Sequence, residues 1–272
     1  MSSQPGFGDR LAQAVEARQS QVVLGLDPDP TRIGDGAASA TDFCLRVIAQ
    51  AAPACVAVKP QLAWFERLGA AGWDALERVA TVAAEHGLLV IADAKRGDVD
   101  VTSRAYAQAL VRSPFDAVTV NPMLGTDAMA PFVDAARATG RGVFVLVRTS
   151  NPGAADLQDL ILADGTMWHE AVARLVAEWG ADGVGSRGVS DIGAVVGATA
   201  PQHLGALRVL MPHQPLLIPG IGAQGGRPED LGQAFGGRRA GAIVAASRSI
   251  LYADDPRAAA EDLRVRLWAV SA

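Results

Sequence analysis

The strongest constraint on the fold of this chain is an alternation of eight short apolar runs with helical segments along its 272 residues. The runs are rich in β-branched residues and almost continuously hydrophobic, which is typical of parallel strands covered on both faces. They occupy residues 22–27, 55–60, 88–95, 117–122, 142–150, 193–199, 215–220 and 240–248. Eight parallel strands close a (β/α)8 TIM barrel, and the chain length is near the roughly 250 residues typical of that fold.

Helical patterns fill the intervals between the runs. Apolar residues recur at three- and four-residue steps in segments 72–86, 127–139 and 165–180, and these stripes include Trp73 and Leu175. The stretch from 151 to 191 is longer than a simple connection, so we interpret it as an elaborated fifth crossover. We therefore expect residues 1–272 to form a single (β/α)8-barrel catalytic domain.

Polar residues favour the barrel over a doubly wound open sheet, which has the same alternation of strands and helices. Nearly every run ends in a group suited to binding or catalysis. These groups are Asp27, Lys59, Asp93 with Lys95, Asn121, Ser150, Thr199, Pro219 with Gly220, and Arg248. In a barrel the carboxyl ends of all strands meet on the face where active sites lie, so these residues are expected to converge.

Charge and composition exclude several classes of protein. The net charge is −5 and the basic residues are scattered, so the chain lacks the basic stripe of a nucleic-acid-binding protein. No apolar stretch is long enough to span a bilayer and the start of the chain lacks a secretory pattern, so we expect a cytoplasmic protein. The cysteines and histidines have spacings that predict neither a zinc site nor a disulfide scaffold: Cys44, Cys55, His86, His169, His203 and His213.

The sharpest motif ends the third run, where Asp93 and Lys95 stand two residues apart. Side chains at i and i+2 of a strand point the same way, so the carboxylate and the ammonium are expected to meet in the barrel mouth. This pairing suits catalysis, but a salt bridge that merely closes the barrel end has the same spacing. Asp27 likewise suits a turn before Pro28, and Ser150 suits a hydrogen bond within its own Asn-Pro-Gly turn.

The loops after the seventh and eighth runs have the composition of an anion site, and barrels often bind phosphate there. Gln224 adds side-chain donors and Arg248 offers a guanidinium fork. Four glycines are expected to let backbone N–H groups approach the anion: Gly220, Gly222, Gly225 and Gly226. A glycine-rich stretch alone is more often a simple turn, but its position before Arg248 favours a phosphate site.

Taken together, the motifs resemble the orotidine 5′-phosphate decarboxylase family, in its mycobacterial-like type 2 branch. The central motif is Asp93-x-Lys95-x-x-Asp98, followed by Thr102. The other landmarks occur in order over nearly the whole chain: Leu26-Asp27, Lys59-Pro60-Gln61, Thr149-Ser150-Asn151-Pro152-Gly153, Val196-Gly197-Ala198-Thr199, Pro219-Gly220-Ile221-Gly222-Ala223-Gln224-Gly225-Gly226 and Ser247-Arg248-Ser249-Ile250.

The resemblance implies an enzyme that converts orotidine monophosphate to uridine monophosphate and CO2 in de novo pyrimidine biosynthesis, without a metal or other cofactor. The catalytic residues that it implies are Lys95 as proton donor and the charged neighbours Lys59, Asp93 and Asp98. The binding residues that it implies are Asp27 and Lys59 for the ribose, Ser150 and Pro219 for the pyrimidine, and Gln224 and Arg248 for the phosphate, together with Thr102, Gly220 and Ser247.

The resemblance also implies movement and assembly. Residues 222–227 are expected to belong to a loop that closes over the phosphate. A homodimer is expected in which Asp98 and Thr102 of one chain complete the active site of the other.

Two other functions are compatible with parts of the pattern. A metal-dependent sugar-phosphate decarboxylase or aldolase on a related barrel can carry the same Asp-x-Lys-x-x-Asp, although Lys59 stands where a Mg2+ site would favour a carboxylate. A non-catalytic phosphosugar-binding barrel would be expected to keep Gln224 and Arg248 but to lose Lys95 or Asp93. All four residues are present, which favours an enzyme.

Overall fold

Eight parallel strands form a closed barrel in the computed structural model, which describes residues 5–222 and 224–272. The strands are β1 (Val22–Leu26), β2 (Ala57–Pro60), β3 (Leu89–Arg96), β4 (Ala117–Val120), β5 (Gly142–Arg148), β6 (Ile192–Val196), β7 (Leu216–Pro219) and β8 (Ala242–Ala246). Neighbours pair in chain order, and Val22 pairs with Val244 so that β8 closes onto β1. The predicted (β/α)8 barrel is confirmed, and Ala223 of the glycine-rich motif lies outside the described residues.

Each predicted run overlaps one strand, but most runs extend past the carboxyl end of the strand. β5, for example, ends at Arg148, two residues before the predicted end at Ser150. Some residues beyond the ladder still bond to a neighbouring strand, as when Asn121 N–H donates to the Arg96 carbonyl oxygen of β3 at 2.7 Å and Ala198 N–H donates to the Pro219 carbonyl oxygen of β7 at 2.8 Å. The strand ends are therefore where the barrel mouth begins.

Helices surround the barrel, and most of the longer ones follow a strand. They are α1 (Phe7–Arg18), α2 (Pro30–Ile33), α3 (Ala37–Ala51), α4 (Leu62–Glu66), α5 (Ala70–Glu85), α6 (Asp100–Arg112), α7 (Thr126–Thr139), α8 (Ala155–Gln158), α9 (Trp168–Trp179), α10 (Leu204–Leu210), α11 (Gly232–Phe235), α12 (Arg248–Leu251) and α13 (Pro256–Val270). Short 3-10 turns lie at Ala52–Ala54, Pro122–Leu124, Pro152–Ala154, Ala181–Gly183, Pro201–His203, Pro228–Leu231 and Arg239–Gly241.

The connection between β5 and β6 carries more structure than a single helix. It holds α8 and α9, and between them the chain turns back so that Ile161 forms an antiparallel bridge with Met167. The predicted helix at 165–180 is present as α9, which starts three residues later, and the Glu170 carboxylate at its first turn accepts from the Met167 N–H at 3.0 Å. The assignment of residues 1–272 to one catalytic domain stays a prediction.

Two layers of apolar side chains form the core. An outer layer packs the helices against the strands. An inner layer fills the barrel and includes residues of α1, whose Phe7 meets Phe144 of β5 edge to face at 5.7 Å between ring centroids. Helix α1 therefore closes the end of the barrel opposite the strand carboxyl ends, and the open end is left for a site.

Two expectations about helix faces are wrong. Trp73 and Leu175 are exposed, although the periodicity places both on apolar stripes. In α5, Gly72 is buried and Trp73 is not. Helix α4 packs so closely against Gly72 that a Cβ there would lie 1.9 Å from the carbonyl oxygen of Phe65 in α4. The close approach of α4 leaves the next residue, Trp73, at the margin of the interface.

No helix in the described part of the chain has both the length and the apolar character needed to cross a membrane. The cytoplasmic location stays a prediction.

Candidate active site

A cavity of about 390 Å3 opens at the carboxyl ends of the strands. That volume falls within the range of small-molecule sites. Ten residues that the sequence analysis singled out line it: Asp27, Lys59, Asp93, Lys95, Ser150, Pro219, Gly220, Gln224, Ser247 and Arg248. The predicted convergence of strand ends is therefore present for these residues, whereas Asn121 and Thr199 are not among the described residues that line the cavity.

Strand alternation explains why polar groups line this cavity. Inward positions near the middle of the strands carry small or apolar side chains such as Ala57, Ile91 and Ala117. Two residues further along the same strands, the inward positions carry Lys59, Asp93 and Thr119. Because residues i and i+2 share a face, the apolar barrel interior continues directly into a polar layer.

Asp93 lies at the centre of that polar layer. Its Oδ2 accepts hydrogen bonds from Lys59 Nζ at 2.6 Å and from Gln61 Nε2 at 3.3 Å. Its Oδ1 accepts from Lys95 Nζ at 2.5 Å and from Thr119 Oγ1 at 3.0 Å. Both oxygens are satisfied, so the carboxylate is fixed between two ammonium groups.

Burial and charge act in opposite directions on these groups. Burial alone would raise the pKa of Asp93, but the ammonium groups of Lys59 and Lys95 outweigh it and hold the pKa well below its ordinary value. Burial would lower the pKa of Lys59, but the carboxylates of Asp93 and Asp27 outweigh it and raise that pKa above its ordinary value. The Lys59–Asp93 pair therefore stays ionised at neutral pH.

Lys95 reaches the cavity through an irregular backbone. Its φ of 48° lies in the left-handed region, and the pairing of β3 with β4 shifts register between Ala92 and Arg96. Such a conformation costs of the order of 1–3 kcal/mol in a residue other than glycine and is concentrated at functional sites. The Lys95 N–H donates to Thr119 Oγ1 at 2.9 Å, and the side chain is 43% exposed against 9% for Asp93. The predicted pairing is present, but a strand bulge sets its geometry instead of simple alternation.

Asp27 lies at the cavity wall. The capping role that was the alternative for Asp27 belongs to Asp29. Asp29 caps α2, because its Oδ1 accepts from the N–H of Thr31 at 2.9 Å. The hydroxyl of Tyr252 donates to the Asp27 carbonyl oxygen at 2.8 Å and accepts from the Asp29 N–H at 2.9 Å. Tyr252 thus fixes the backbone on either side of Pro28 and leaves the Asp27 carboxylate at the cavity.

The glycine-rich loop after β7 folds differently from the expectation. Three of its amides already donate within the loop: Gly222 to Gly226, Gly225 to Gly222, and Gly226 to Gly220, at 2.9–3.1 Å between nitrogen and oxygen. Positive φ values of 102°, 71° and 90° at Gly220, Gly222 and Gly225 permit this tight fold. These three amides are therefore engaged within the loop in this structure, and their approach to an anion stays a prediction.

The anion-binding capacity of this side of the cavity comes from side chains. Gln224 lines the cavity beyond β7, and Arg248 at the start of α12 lines it beyond β8. Arg248 is exposed and is the one guanidinium among the described residues of the cavity wall. With Lys59 and Lys95 it makes three cationic groups against the carboxylates of Asp27 and Asp93, so the cavity favours an anionic ligand.

Asp98 and Thr102 stand apart from the other predicted site residues. Neither is among the described residues that line the cavity of this barrel. Asp98 lies two residues beyond β3 and its Oδ1 accepts from the N–H of Val99 at 2.8 Å, while Thr102 is exposed on α6. Asp98 and Thr102 therefore do not reach the cavity of their own barrel.

Two cavity residues that bond to Asp93, namely Gln61 and Thr119, were not predicted as functional. Asn121 ends the fourth run, but its side chain caps a 3-10 turn by accepting from Met123 N–H at 3.1 Å. Thr119, two residues earlier, lines the cavity and bonds to Asp93. Gln61, the residue after β2, also lines the cavity and donates to Asp93. Side chains alternate between the two faces of β4, so the inward-facing Ala117 predicts that Thr119 also points inward. The contact of Gln61 with Asp93 depends on the pairing of β2 with β3, which alternation within one strand does not predict.

A second polar cluster lies beside the crossover after β5. His169 and His203 meet with ring centroids 4.7 Å apart, and together with Asp159 they offer three potential metal-ligand atoms within 4.8 Å of one another. These residues are far apart in sequence, so spacing motifs did not reveal the group. The prediction that the cysteines and histidines form no zinc site stays a prediction.

Comparison with known proteins decides the family. Residues 20–263 match the model of a family described as "Orotidine 5'-phosphate decarboxylase / HUMPS family". The chain belongs to the orotidine 5′-phosphate decarboxylase / HUMPS family.

Individual members of this family are similar over nearly their whole length. An orotidine 5′-phosphate decarboxylase from Rhodopirellula baltica is 42% identical over 268 residues, which cover 91% of this chain and 88% of the relative. The enzyme of the same name from Deinococcus radiodurans is 42% identical over 254 residues, covering 92% and 90%. The solved structure of Leishmania donovani OMP decarboxylase has a TM-score of 0.84 at 34% identity and covers 98% of both chains.

The ion pairs of Asp93 predict a specific stability profile for this family member. Asp93→Asn leaves the buried Lys59 ammonium without its counter-charge, so the free energy of unfolding at pH 7 should fall by about 3–5 kcal/mol. The folded-state pKa of Asp93 lies below its ordinary value of 3.8, so its contribution is present above that pH and is lost as pH falls through the folded value. Urea denaturation should show that wild type keeps its advantage from pH 7 to pH 5 and loses it only below about pH 4.

The matched control is Asp134→Asn, which removes an exposed carboxylate of α7 and should change stability by no more than about 0.5 kcal/mol. Equal destabilisation by both variants, or an advantage that disappears between pH 7 and pH 5, would contradict the assignment of Asp93 as a buried, paired carboxylate.

Proposed function

We propose that this chain is a cofactor-independent orotidine 5′-phosphate decarboxylase that converts orotidine monophosphate to uridine monophosphate and CO2. One observation carries the proposal: Lys95 presents an ammonium to the cavity, held by the buried carboxylate of Asp93, across the mouth from Arg248. Family membership and the names of the relatives support it. The product would enter de novo pyrimidine biosynthesis.

The reaction requires a positive group and a proton beside one carbon atom. Decarboxylation breaks the bond between C6 of the pyrimidine and the carboxylate carbon, CO2 leaves, and the electron pair remains on C6, which has no conjugated electron sink. An ammonium next to C6 stabilises the developing charge and then donates its proton to that carbon. We assign this role to Lys95, which regains its proton from solvent.

The other charges of the polar layer hold the proton donor in place. Asp93 orients the Lys95 ammonium through their ion pair, and Lys59 on the other oxygen keeps Asp93 from turning away. These contacts exist before substrate binds, so no reorganisation of the charges is needed during the reaction.

Strand order around the barrel supports an orientation of the nucleotide. The loops after β7 and β8 carry the phosphate-binding side chains, and β1 and β2 follow β8 around the ring. We assign Gln224 and Arg248 to the phosphate, Asp27 and Lys59 to the ribose, and Ser150 and Pro219 to the pyrimidine, with Gly220 and Ser247 as further wall contacts. The carbon that reacts then faces β3, where Lys95 lies.

Binding of the phosphate is expected to contribute to catalysis as well as to affinity. Enzymes lower reaction barriers by roughly 8–23 kcal/mol, and a carbanion without an electron sink requires the upper part of that range. One ammonium supplies only part of it. Binding energy from Arg248 and closure of the 222–227 loop would align the pyrimidine with Lys95 and exclude water.

The donor chemistry of the cavity disfavours the metal-dependent sugar-phosphate reaction. A Mg2+ ion prefers carboxylate and water oxygens, and Asp93 is one of two carboxylates among the described cavity residues. Both of its oxygens already accept from ammonium groups, at 2.5 and 2.6 Å. An ion bound there would have to displace Lys59 and Lys95, so the arrangement suits proton donation better than metal binding.

A non-catalytic phosphosugar-binding barrel is also disfavoured, because the cavity is lined by all four of Lys95, Asp93, Gln224 and Arg248.

The proposed activity should be independent of divalent metals. Orotidine monophosphate incubated with purified protein and excess EDTA should be converted to uridine monophosphate, as followed by ultraviolet absorbance, at the same rate as without chelator. Activity that disappears with EDTA and returns with Mg2+ would favour the metal-dependent alternative.

Lys95 and Arg248 should affect different steps. Lys95→Ala should lower kcat by a factor of at least about 10²–10⁴ while a nucleotide analogue still binds, because the phosphate and ribose contacts lie on other strands.

Arg248→Ala should lower kcat/KM for orotidine monophosphate by about 10- to 100-fold, the effect of losing a charge-assisted hydrogen bond. Any residual turnover of phosphate-free orotidine should be unchanged in Arg248→Ala. Equal losses on both substrates would remove Arg248 from the phosphate site.

We also propose that the enzyme is a homodimer with two shared sites. Asp98 lies two residues before α6 and Thr102 lies in its first turn. Four exposed apolar residues lie nearby in sequence, after β3 and β4. Val99, Val101, Met123 and Leu124 are between 49% and 65% exposed. Side chains of this type favour burial against a second chain, and a two-fold interface there would bring Asp98 and Thr102 to the partner's cavity.

Subunit mixing tests the shared site. Inactive Lys95→Ala and Asp98→Ala proteins, mixed so that subunits exchange, should regain about a quarter of wild-type activity per total site, because about half of the dimers are mixed and each has one intact site. The matched control mixes Lys95→Ala with Lys59→Ala, which damage the same half of each site and should regain nothing. If exchange is demonstrated and the first mixture stays inactive, Asp98 acts within its own chain.

A further inference from the structure

The backbone that leads into Ser150 is held by side chains instead of by the sheet. The ladder of β5 ends at Arg148, whose carbonyl oxygen accepts from Gly197 N–H at 2.7 Å. Beyond it, Thr149 N–H donates to Gln158 Oε1 at 2.7 Å, and the Thr149 carbonyl oxygen accepts from Arg148 Nη1 at 2.6 Å. The peptide groups on both sides of Thr149 are therefore fixed by side chains.

Asp159 holds the arginine of this arrangement. Its Oδ1 and Oδ2 accept from Arg148 Nε at 2.8 Å and Nη2 at 2.9 Å, which is the bidentate geometry of a strong ion pair. Arg148 is buried, and the guanidinium lowers the pKa of Asp159. His169, also buried, approaches the Gln158 carbonyl oxygen with its Nδ1 at 2.7 Å. The end of α8 is thus anchored to both β5 and α9.

The contacts also decide the role of the cluster of Asp159, His169 and His203. Three potential ligands lie close enough for a metal ion, but both oxygens of the only carboxylate bond to Arg148. A metal bound there would face a guanidinium at short range. The observations therefore favour positioning over metal binding.

We infer that Gln158 and Asp159 are positioning residues that fix Ser150 at the wall of the cavity, and through it the pyrimidine of the substrate. The carbonyl group of Thr149 belongs to the peptide that leads into Ser150, so its direction sets the direction of the Ser150 side chain. Ser150 packs against Gly197, where a Cβ would lie 2.7 Å from the Ser150 Cα, and its carbonyl oxygen accepts from Thr199 Oγ1 at 3.0 Å. Loss of the Gln158 contact leaves Thr149 N–H without its side-chain partner and lets Ser150 shift.

A double-mutant cycle measures this role, which rests on the proposed decarboxylase function. Gln158→Leu should lower kcat/KM for orotidine monophosphate about three- to tenfold, but should have almost no effect in a Ser150→Ala background. Gln158→Glu replaces the amide oxygen with a carboxylate oxygen that can still accept from Thr149 N–H, so it should retain most of the activity that Gln158→Leu loses. The matched control, Leu157→Ala, removes an exposed side chain one residue earlier and should leave kcat/KM unchanged.

Ligand binding separates positioning from general loss of structure. Gln158→Leu should weaken binding of uridine monophosphate but leave binding of ribose 5-phosphate unchanged, because the ribose and phosphate contacts lie on other strands. Equal weakening of both ligands, or additive effects of Gln158→Leu and Ser150→Ala on kcat/KM, would overturn the inference. If Gln158→Leu does not fold, Gln158→Ala replaces it in the same cycle. A wild-type protein that turns over no orotidine monophosphate would instead refute the proposed function.

Discussion

The buried carboxylate of Asp93, held between two ammonium groups, is the interaction on which the rest of the site depends. A charge in this position is stable only when it is paired and hydrogen-bonded, and all four contacts to Asp93 come from residues on or next to β2, β3 and β4. The same contacts fix the Lys95 ammonium at the edge of the cavity. Because the barrel brings these strand ends together, the site is assembled by the fold before any ligand binds.

The barrel brings the functional residues close together, and the backbone at and beyond the strand ends orients their side chains. Lys95 lies within the register shift between Ala92 and Arg96 of β3 and adopts a strained backbone that Thr119 supports. Thr149 lies just past the end of β5 and is fixed by Arg148 and Gln158. In both places side-chain hydrogen bonds replace the ladder at the point where functional groups leave the sheet. Rigid positioning of this kind is what electrostatic catalysis requires.

Much of this arrangement follows from the sequence. Eight apolar runs with polar ends predict the barrel and its mouth, and the spacing of Asp93 and Lys95 predicts their contact. The folding of the glycine-rich loop onto itself was not predictable, because glycine composition does not show which partner an amide chooses. The meeting of Asp159, His169 and His203 was not predictable either, because contacts between residues far apart in the chain depend on the path of the crossover after β5. Asp98 and Thr102 lie away from the cavity of their own barrel, so strand alternation within one chain does not place them at the site.

If the barrel mouth orients the nucleotide as proposed, its phosphate lies at Arg248 and C6 of its pyrimidine lies at Lys95. A crystal structure of the protein with uridine monophosphate measures this orientation. We expect the phosphate to contact Arg248 and Gln224, and Lys95 Nζ to lie about 3–3.5 Å from C6, the separation of a near-attack arrangement. A pyrimidine that lies away from Lys95, or a phosphate bound on the β3 side of the cavity, would show that the nucleotide binds in another orientation.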